Sequence, residues 1–230
     1  DVTITKIHTP KGDLVRKTKR TSITSATIEF PFKTPEDVEK FLSIPYEPQE
    51  VNVDGFMKRK EEIGEQGLVM AGMGDAVCLP ASWFSPEDFC LQWADNPQII
   101  KKLVEVAAER INVFVEKLCK AGVDAFWIVG GEYVTVQLGP KAFDELLKPY
   151  DVELTGIIHK YGGIAHYHNH GPVTRFLEDF LDLEIDVLSP LEAPPCGDLD
   201  LAVAKEKIGD EICLMGNVDD MMVLGFATEE

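Results

Sequence analysis

From residue 67 onward the chain repeats one theme: a short apolar run, then a stretch whose apolar residues recur every three or four positions. Leu68-Val69-Met70-Ala71, Ala125-Phe126-Trp127-Ile128-Val129, Gly163-Ile164-Ala165-His166-Tyr167, Asp186-Val187-Leu188-Ser189 and Ile212-Cys213-Leu214-Met215 predict strands. They are too short for buried helices and favour β-branched and aromatic side chains. Ile99, Ile100, Leu103, Val104, Ala107, Ile111, Phe114, Val115 and Leu118 trace one face of a long helix opened by Asn96-Pro97. Ser85-Pro86-Glu87-Asp88 opens another, with a serine cap, proline at the first helical position and acids in the first turn. Further helices are expected from about Pro140 to His159, Val173 to Leu181, and Leu199 to Lys207, the last capped by Asp198.

Strands alternating with helices make residues 67–219 a series of parallel βα units, either a doubly wound sheet or a closed barrel. A barrel needs eight strands and five are counted, so a barrel would lack at least one strand at each end of this chain. The first 55 residues read differently. A turn at Lys11-Gly12-Asp13 separates polar strands, Ser22 to Phe30 alternates as a half-buried strand does, and Thr34-Pro35-Glu36-Asp37 starts a short helix. This leading layer is expected to attach to a single domain spanning residues 1–230.

Composition narrows the function. Of 230 residues 45% are hydrophobic, enough for a substantial core, while no run approaches the roughly 18 apolar residues of a membrane span. A net charge of −18 argues against a nucleic-acid partner, because phosphate binding needs clustered Lys and Arg. The one basic run, Arg16 to Arg20, reads as a solvated strand or turn. Five cysteines at wide, irregular spacings suit a reducing compartment, and so the cytoplasm, better than a disulfide framework. Of these, Cys119 and Cys213 read as buried core. The opening residues lack the basic and then apolar order of a secretory leader. No GxGxxG or GxxxxGKS follows a strand, so a nucleotide site has no support.

Chemistry gathers at strand ends. His166-Tyr167-His168-Asn169-His170 stands where a strand passes into a loop, the active edge of parallel α/β folds. In an extended segment His166 and His168 point the same way, as two imidazoles on one metal require, zinc being the natural ion. The alternative is a polar loop that binds an anionic substrate. Glu192 and Cys196 follow the next strand and could complete the metal site, or Glu192 could act as general acid or base. Glu132, after Gly130-Gly131, is a second candidate catalytic acid, with the glycines allowing close approach of a ligand. Gly72 and Asp75, and Asn217 and Asp219, hold matching places after their strands, and all are expected to rim one ligand- or cofactor-binding pocket.

Leu138-Gly139-Pro140-Lys141-Ala142-Phe143 with Lys148-Pro149-Tyr150, and Leu214-Met215-Gly216-Asn217-Val218-Asp219, resemble motifs of the uroporphyrinogen decarboxylase superfamily. Asp220 stands where proline is usual there. The resemblance runs from about Pro31 to Asp219. It implies a (β/α)8 TIM-type barrel, here incomplete at both ends, often in a homodimer. Decarboxylases of the superfamily need no cofactor and use an arginine-rich motif, an aspartate and a tyrosine. This chain has no such arginine motif and no tyrosine between Gly67 and Asp95. The corrinoid-linked methyltransferases carry zinc on a His-x-Cys strand end, where this chain has His166 and His168. A remoter relative, cobalamin-independent methionine synthase, adds a glutamate after the next strand, where Glu192 stands. The resemblance therefore implies methyl transfer involving a corrinoid, free or on a partner corrinoid protein, or a thiol, with zinc held by His166, His168, Glu192 and Cys196. A carboxy-lyase acting on a tetrapyrrole, with Arg175 as carboxylate partner, is the alternative. A non-catalytic metal- or ligand-binding barrel is the third reading.

Overall fold

The computed structural model describes residues 1–219 together with 223, 225 and 226, so Asp220 lies outside the described residues. The leading layer is a three-stranded antiparallel sheet of β1 (Val2–Thr9), β2 (Gly12–Arg20) and β3 (Ser25–Glu29). The β1–β2 turn closes on Thr9, whose hydroxyl donates to the Gly12 carbonyl (2.6 Å) and accepts from the Lys11 amide (3.2 Å). β3 starts later than the alternation from Ser22 suggests. The Thr21 hydroxyl accepts from the Thr24 amide (3.0 Å), so residues 21–24 are spent on a turn. α1 (Pro35–Leu42) begins as expected: the Asp37 carboxylate accepts from the amides of Lys33 and Thr34. Phe32, packed edge-on against Phe41 and Phe84, ties this layer to the main body. The pattern of apolar positions passes over α2 (Asp54–Ile63), which buries no residue and so carries no apolar stripe.

The main body is one parallel sheet of β4 (Ala71–Gly74), β5 (Ala125–Val129), β6 (Ile164–His168), β7 (Val187–Ser189) and β8 (Cys213–Leu214). Its strand order, β4-β5-β6-β7-β8, follows the chain without reversal. A doubly wound sheet reverses at a switch point and a barrel does not, so the five strands form an arc of the TIM type. β4 starts three residues later than its apolar run. Ala71 to Gly74 pair with Phe126 to Val129, while Leu68 stays exposed outside the sheet.

Helices cover the sheet through α3 (Cys78–Trp83), α4 (Pro86–Asp95), α5 (Pro97–Lys120), α6 (Glu132–Thr135), α7 (Pro140–Ala142), α8 (Lys148–Lys160), α9 (Leu177–Leu181) and α10 (Leu201–Ile208). α5 buries Ile100, Leu103, Val104, Ala107 and Val115 along the face its periodicity marks. The helix expected over 140–159 is continuous, but it widens to a π turn at Phe143–Leu147. Pro149 follows after Lys148, and its ring nitrogen cannot donate to a carbonyl one turn back.

Two expectations are corrected. Asp200, not Asp198, caps α10 by accepting from the Ala202 amide (2.8 Å). The Asp198 carboxylate instead accepts from the amides of Val173 and Thr174 (2.9 and 3.0 Å), stitching two loops together. Cys213 is exposed, not buried: it lies on the outermost described strand, whereas Cys119 is buried as expected on α5. No helix among the described residues is long and apolar enough to cross a membrane.

Candidate functional site

β6 is buried through Ala165, His166 and Tyr167, and its alternation sends two sets of side chains to opposite faces of the sheet. His166 and His168 share one face and Tyr167 takes the other. Parallel pairing sets His168 beside Ser189 at the end of β7 and beside Val129 at the end of β5. Both imidazoles meet the Ser189 hydroxyl, His166 through Nε2 at 2.7 Å and His168 through Nδ1 at 3.0 Å. His168 Nε2 lies 2.9 Å from His170 Nε2, and His170 Nδ1 lies 3.0 Å from Glu192 Oε1. Glu192 Oε2 accepts from the Gly171 amide at 2.7 Å.

A carboxylate only accepts, and that sets the direction of the whole run. His170 Nδ1 donates to Glu192, and with one proton on each ring His170 Nε2 accepts from His168 Nε2. His168 Nδ1 then accepts from the Ser189 hydroxyl, whose oxygen accepts from His166 Nε2. Burial, together with the neighbouring His170 and His166, pushes His168 down to about 4, and burial lowers His166.

Beside this run opens a cavity of about 420 Å³, walled by Trp127, His168, His170, Glu192, Cys196 and Asp219, with Pro190, Ala193, Pro194, Asn217 and Val218 also lining it. It sits over the carboxyl ends of the strands, as the sequence led one to expect. Trp127 meets His168 edge-on at 4.8 Å, and the Cys196 thiol lies 3.8 Å from the Asp219 carboxylate. Among the described residues no Lys or Arg lines the cavity.

The expected zinc ligands do not assemble. A tetrahedral site needs at least three donors turned to one point about 2.0–2.3 Å away. His166 Nε2 instead faces Ser189, and Glu192 engages His170 and Gly171. Among the described residues no three His, Cys, Asp or Glu side chains come together in a way that could hold a metal. The residues present, in this arrangement, do not fit zinc.

The other face of β6 holds a second polar cluster. The buried Tyr167 hydroxyl lies 2.7 Å from Asp151 Oδ2 and 3.3 Å from Asp75 Oδ2. Asp75 Oδ1 accepts from the Cys78 amide (3.1 Å), and Glu132 Oε2 is buried with no hydrogen-bond partner. Burial, with Glu132 nearby, pushes Asp75 up to about 7, and burial beside Asp75 raises Asp151 well above the usual range. Gly130 has φ 133°, and a Cβ there would overlap the Asp75 carboxylate and the Cys78 sulfur. The glycine pair therefore admits protein side chains, where the sequence suggested a ligand.

Of the residues expected to rim one pocket, Glu192, Cys196, Asn217 and Asp219 do so. Asp75 and Glu132 belong to the second cluster, and Gly72 only pairs with Trp127 across β4–β5. Arg175 is directed away from the cavity wall: it donates to the Thr135 carbonyl (3.1 Å) and stacks on Phe176 (4.6 Å). Sequence reasoning missed Ser189 and Trp127. Ser189 ends an apolar strand on a polar residue, and register with His168 is what gives that meaning. Trp127 is the exposed position in an otherwise buried strand, which no pattern of uniformly apolar residues reveals.

A model of the uroporphyrinogen decarboxylase (URO-D) family matches residues 17–230. Among solved structures, the chain is similar to a methyltransferase from Methanosarcina mazei, at 21% identity and a TM-score of 0.60. The match covers 72% of this chain and 47% of that one, so the chain spans about half the length of that structure. At this identity the likeness is one of fold. No curated protein matches the chain.

Proposed function

The chain belongs to the uroporphyrinogen decarboxylase family, and on that premise we propose that it is a methyltransferase-like enzyme of the cytoplasm. Its donor is a methylated small molecule bound over the ends of β5, β6 and β7, and the acceptor is a thiol or a corrinoid presented from outside. One observation carries the choice between the two chemistries of the family. Among the described residues the cavity wall has two carboxylates, two imidazoles and an indole, and no Lys or Arg. A tetrapyrrole bearing several carboxylates would meet the carboxylates of Glu192 and Asp219 there. The fold shared with a methyltransferase is consistent with the same reading.

In methyl transfer the acceptor's electron pair forms the new bond to carbon while the old bond breaks. The atom losing the methyl keeps that bond's electron pair. A proton supplied to that atom makes its departure easier. His170 lies on the cavity wall with Glu192 on its Nδ1 and the His168–Ser189–His166 run behind its Nε2. Both His170 nitrogens are engaged in this run, so His170 can hand a proton to the departing atom only as its hydrogen bond to Glu192 or His168 gives way. No step here is routed through zinc, because the donor set does not fit it.

The test is the rate of demethylation over a panel of methyl donors with thiol and corrinoid acceptors. His170→Gln and Glu192→Gln are expected to lower the rate about 10²–10⁴-fold, the usual contribution of a positioned acid or base, with folding unchanged by circular dichroism. Release of CO2 from a tetrapyrrole carboxylate, with no methyl moved from any donor, would overturn the reading in favour of a carboxy-lyase.

A further inference from the structure

We propose that β1 takes up an extended acidic segment of a partner protein as a further strand on its open edge. The surface belongs to the leading layer and is independent of the methyl-transfer reading.

The backbone offers the edge. β1 pairs with β2 on one side, and among the described residues no strand pairs with its other side. Asp1 and Arg20 exchange both ladder bonds: the Asp1 amino group donates to the Arg20 carbonyl (3.0 Å) and the Arg20 amide donates to the Asp1 carbonyl (2.8 Å). In an antiparallel pair such bonding recurs at every second residue, so Thr3, Thr5 and Ile7 turn their amides and carbonyls to β2. Val2, Ile4, Lys6 and His8 turn theirs outward, a row of donors and acceptors spaced for another strand. Soluble proteins blunt such edges with Pro, bulges or charges. Here the register of β1 on β2 is unbroken, and the one lysine of the strand, Lys6, is turned back onto Asp13 (2.6 Å).

The side chains give that edge an apolar lining. Leu14 is buried and Ile7 packs against the core, so their face of the sheet is turned to the main body. Val2 and Ile4 lie on the opposite face, 55% and 65% exposed, with Val2 across from Lys19. At the same end of the sheet, Ile23 in the turn after β2 is 94% exposed. A strand added here meets apolar side chains at alternate positions, as strand addition requires.

Charge selects the occupant. Residues 1–33 carry seven Lys and Arg against three Asp and Glu, net +4 on a chain of −18, so residues 34–230 carry −22. Lys6, Lys11, Lys17 and Lys33 are held by carboxylates of this chain. Lys19 and Arg20, both exposed, have no carboxylate within ion-pair distance among the described residues. They flank the Val2 end of the edge, where acidic side chains of an added strand neutralise them. A second copy would set one basic layer against another.

The test titrates the purified chain with two fluorescein-labelled peptides as long as β1, one alternating valine with glutamate and one alternating valine with lysine. Anisotropy reads binding, and amide hydrogen exchange reads the outward groups of Ile4 and Lys6. The glutamate peptide is expected to bind, to slow exchange at both amides about tenfold or more, and to lose affinity as salt rises. The lysine peptide should leave both amides unprotected. Ile4→Pro removes one outward donor and no bond to β2, so it should abolish binding, while Ile4→Ala, which keeps the amide, should weaken it less. Lys19→Glu with Arg20→Glu should weaken binding about tenfold, as expected for two exposed ion pairs reversed, with the urea midpoint unchanged. No binding, equal protection by the two peptides, or binding that survives Ile4→Pro would overturn the proposal. So would protection of these amides in the chain alone that grows with its concentration, the mark of β1 pairing with a second copy, or protection by phosphatidylserine vesicles and not by the glutamate peptide.

Discussion

Replacing Asp75 by asparagine should make the protein more stable at pH 8 while changing it far less at pH 5. Asp75 is buried against the Tyr167 hydroxyl (3.3 Å) and the Cys78 amide (3.1 Å), with Asp151 on the far side of the same hydroxyl. Desolvation and the nearby Glu132 raise it from 3.8 to about 7. At 1.36 kcal/mol per unit, such a shift is of order 4 kcal/mol. The sign follows from which state holds the proton more tightly. The folded protein does, so this stability is fully present below the unfolded value near 4 and is lost as pH rises through about 7. Roughly 2.5 kcal/mol of the loss falls between pH 5 and 8. Asparagine keeps the shape, can accept from Cys78 with its oxygen, and can donate its amide hydrogen to the Tyr167 oxygen. It cannot ionise. Urea unfolding of the two proteins at pH 5, 6, 7 and 8 measures the difference. A gap between variant and parent that widens by about 2 kcal/mol or more from pH 5 to 8 is expected. A gap that stays constant across that range, or narrows, would refute the assignment of a protonated carboxyl at this position.

Ser189→Ala removes the hydroxyl between His166 and His168, leaving two imidazole nitrogens without their partner. It should destabilise the protein by about 2 kcal/mol in urea unfolding and change the imidazole tautomers seen by nitrogen NMR; an unchanged midpoint and unchanged tautomers would contradict the hydrogen-bonded run. Zinc supplied to the purified protein is expected to stay well below one equivalent after gel filtration, because His166 and Glu192 are engaged elsewhere. One equivalent of zinc that both His166→Ala and His168→Ala abolish would show that the donors rearrange onto a metal.

Much of the architecture was legible in the chain because it depends on local signals. Pro at the first helical position, a serine or threonine cap and a long 3.6-residue stripe located α1, α4 and α5. Short apolar runs located all five parallel strands, although β4 slipped by three residues, since such a run does not say which of its residues will find a pairing partner. Barrel-like order could not come from pattern alone. It entered through the family motifs, and the unreversed strand order agrees with it. The histidine cluster and Glu192 were visible as residue types at strand ends. Their partners were not, because His166–Ser189 and Tyr167–Asp151 are contacts across 23 and 16 residues that only folding brings together. Glu132 and Asp75 also looked like pocket residues in sequence. Their side chains turn to the other face of the sheet, a choice made by packing around Tyr167 and Gly130 rather than by spacing.

The most direct test of the account is to follow the methyl group itself. Carbon-13 NMR of a single turnover, with a ¹³CH3-labelled ammonium or ether donor and a thiol or reduced corrinoid acceptor, should show the label move to the acceptor, and Glu192→Gln should slow that movement. A label that stays on every donor, while a carboxylated tetrapyrrole loses CO2 in the same protein preparation, would contradict it.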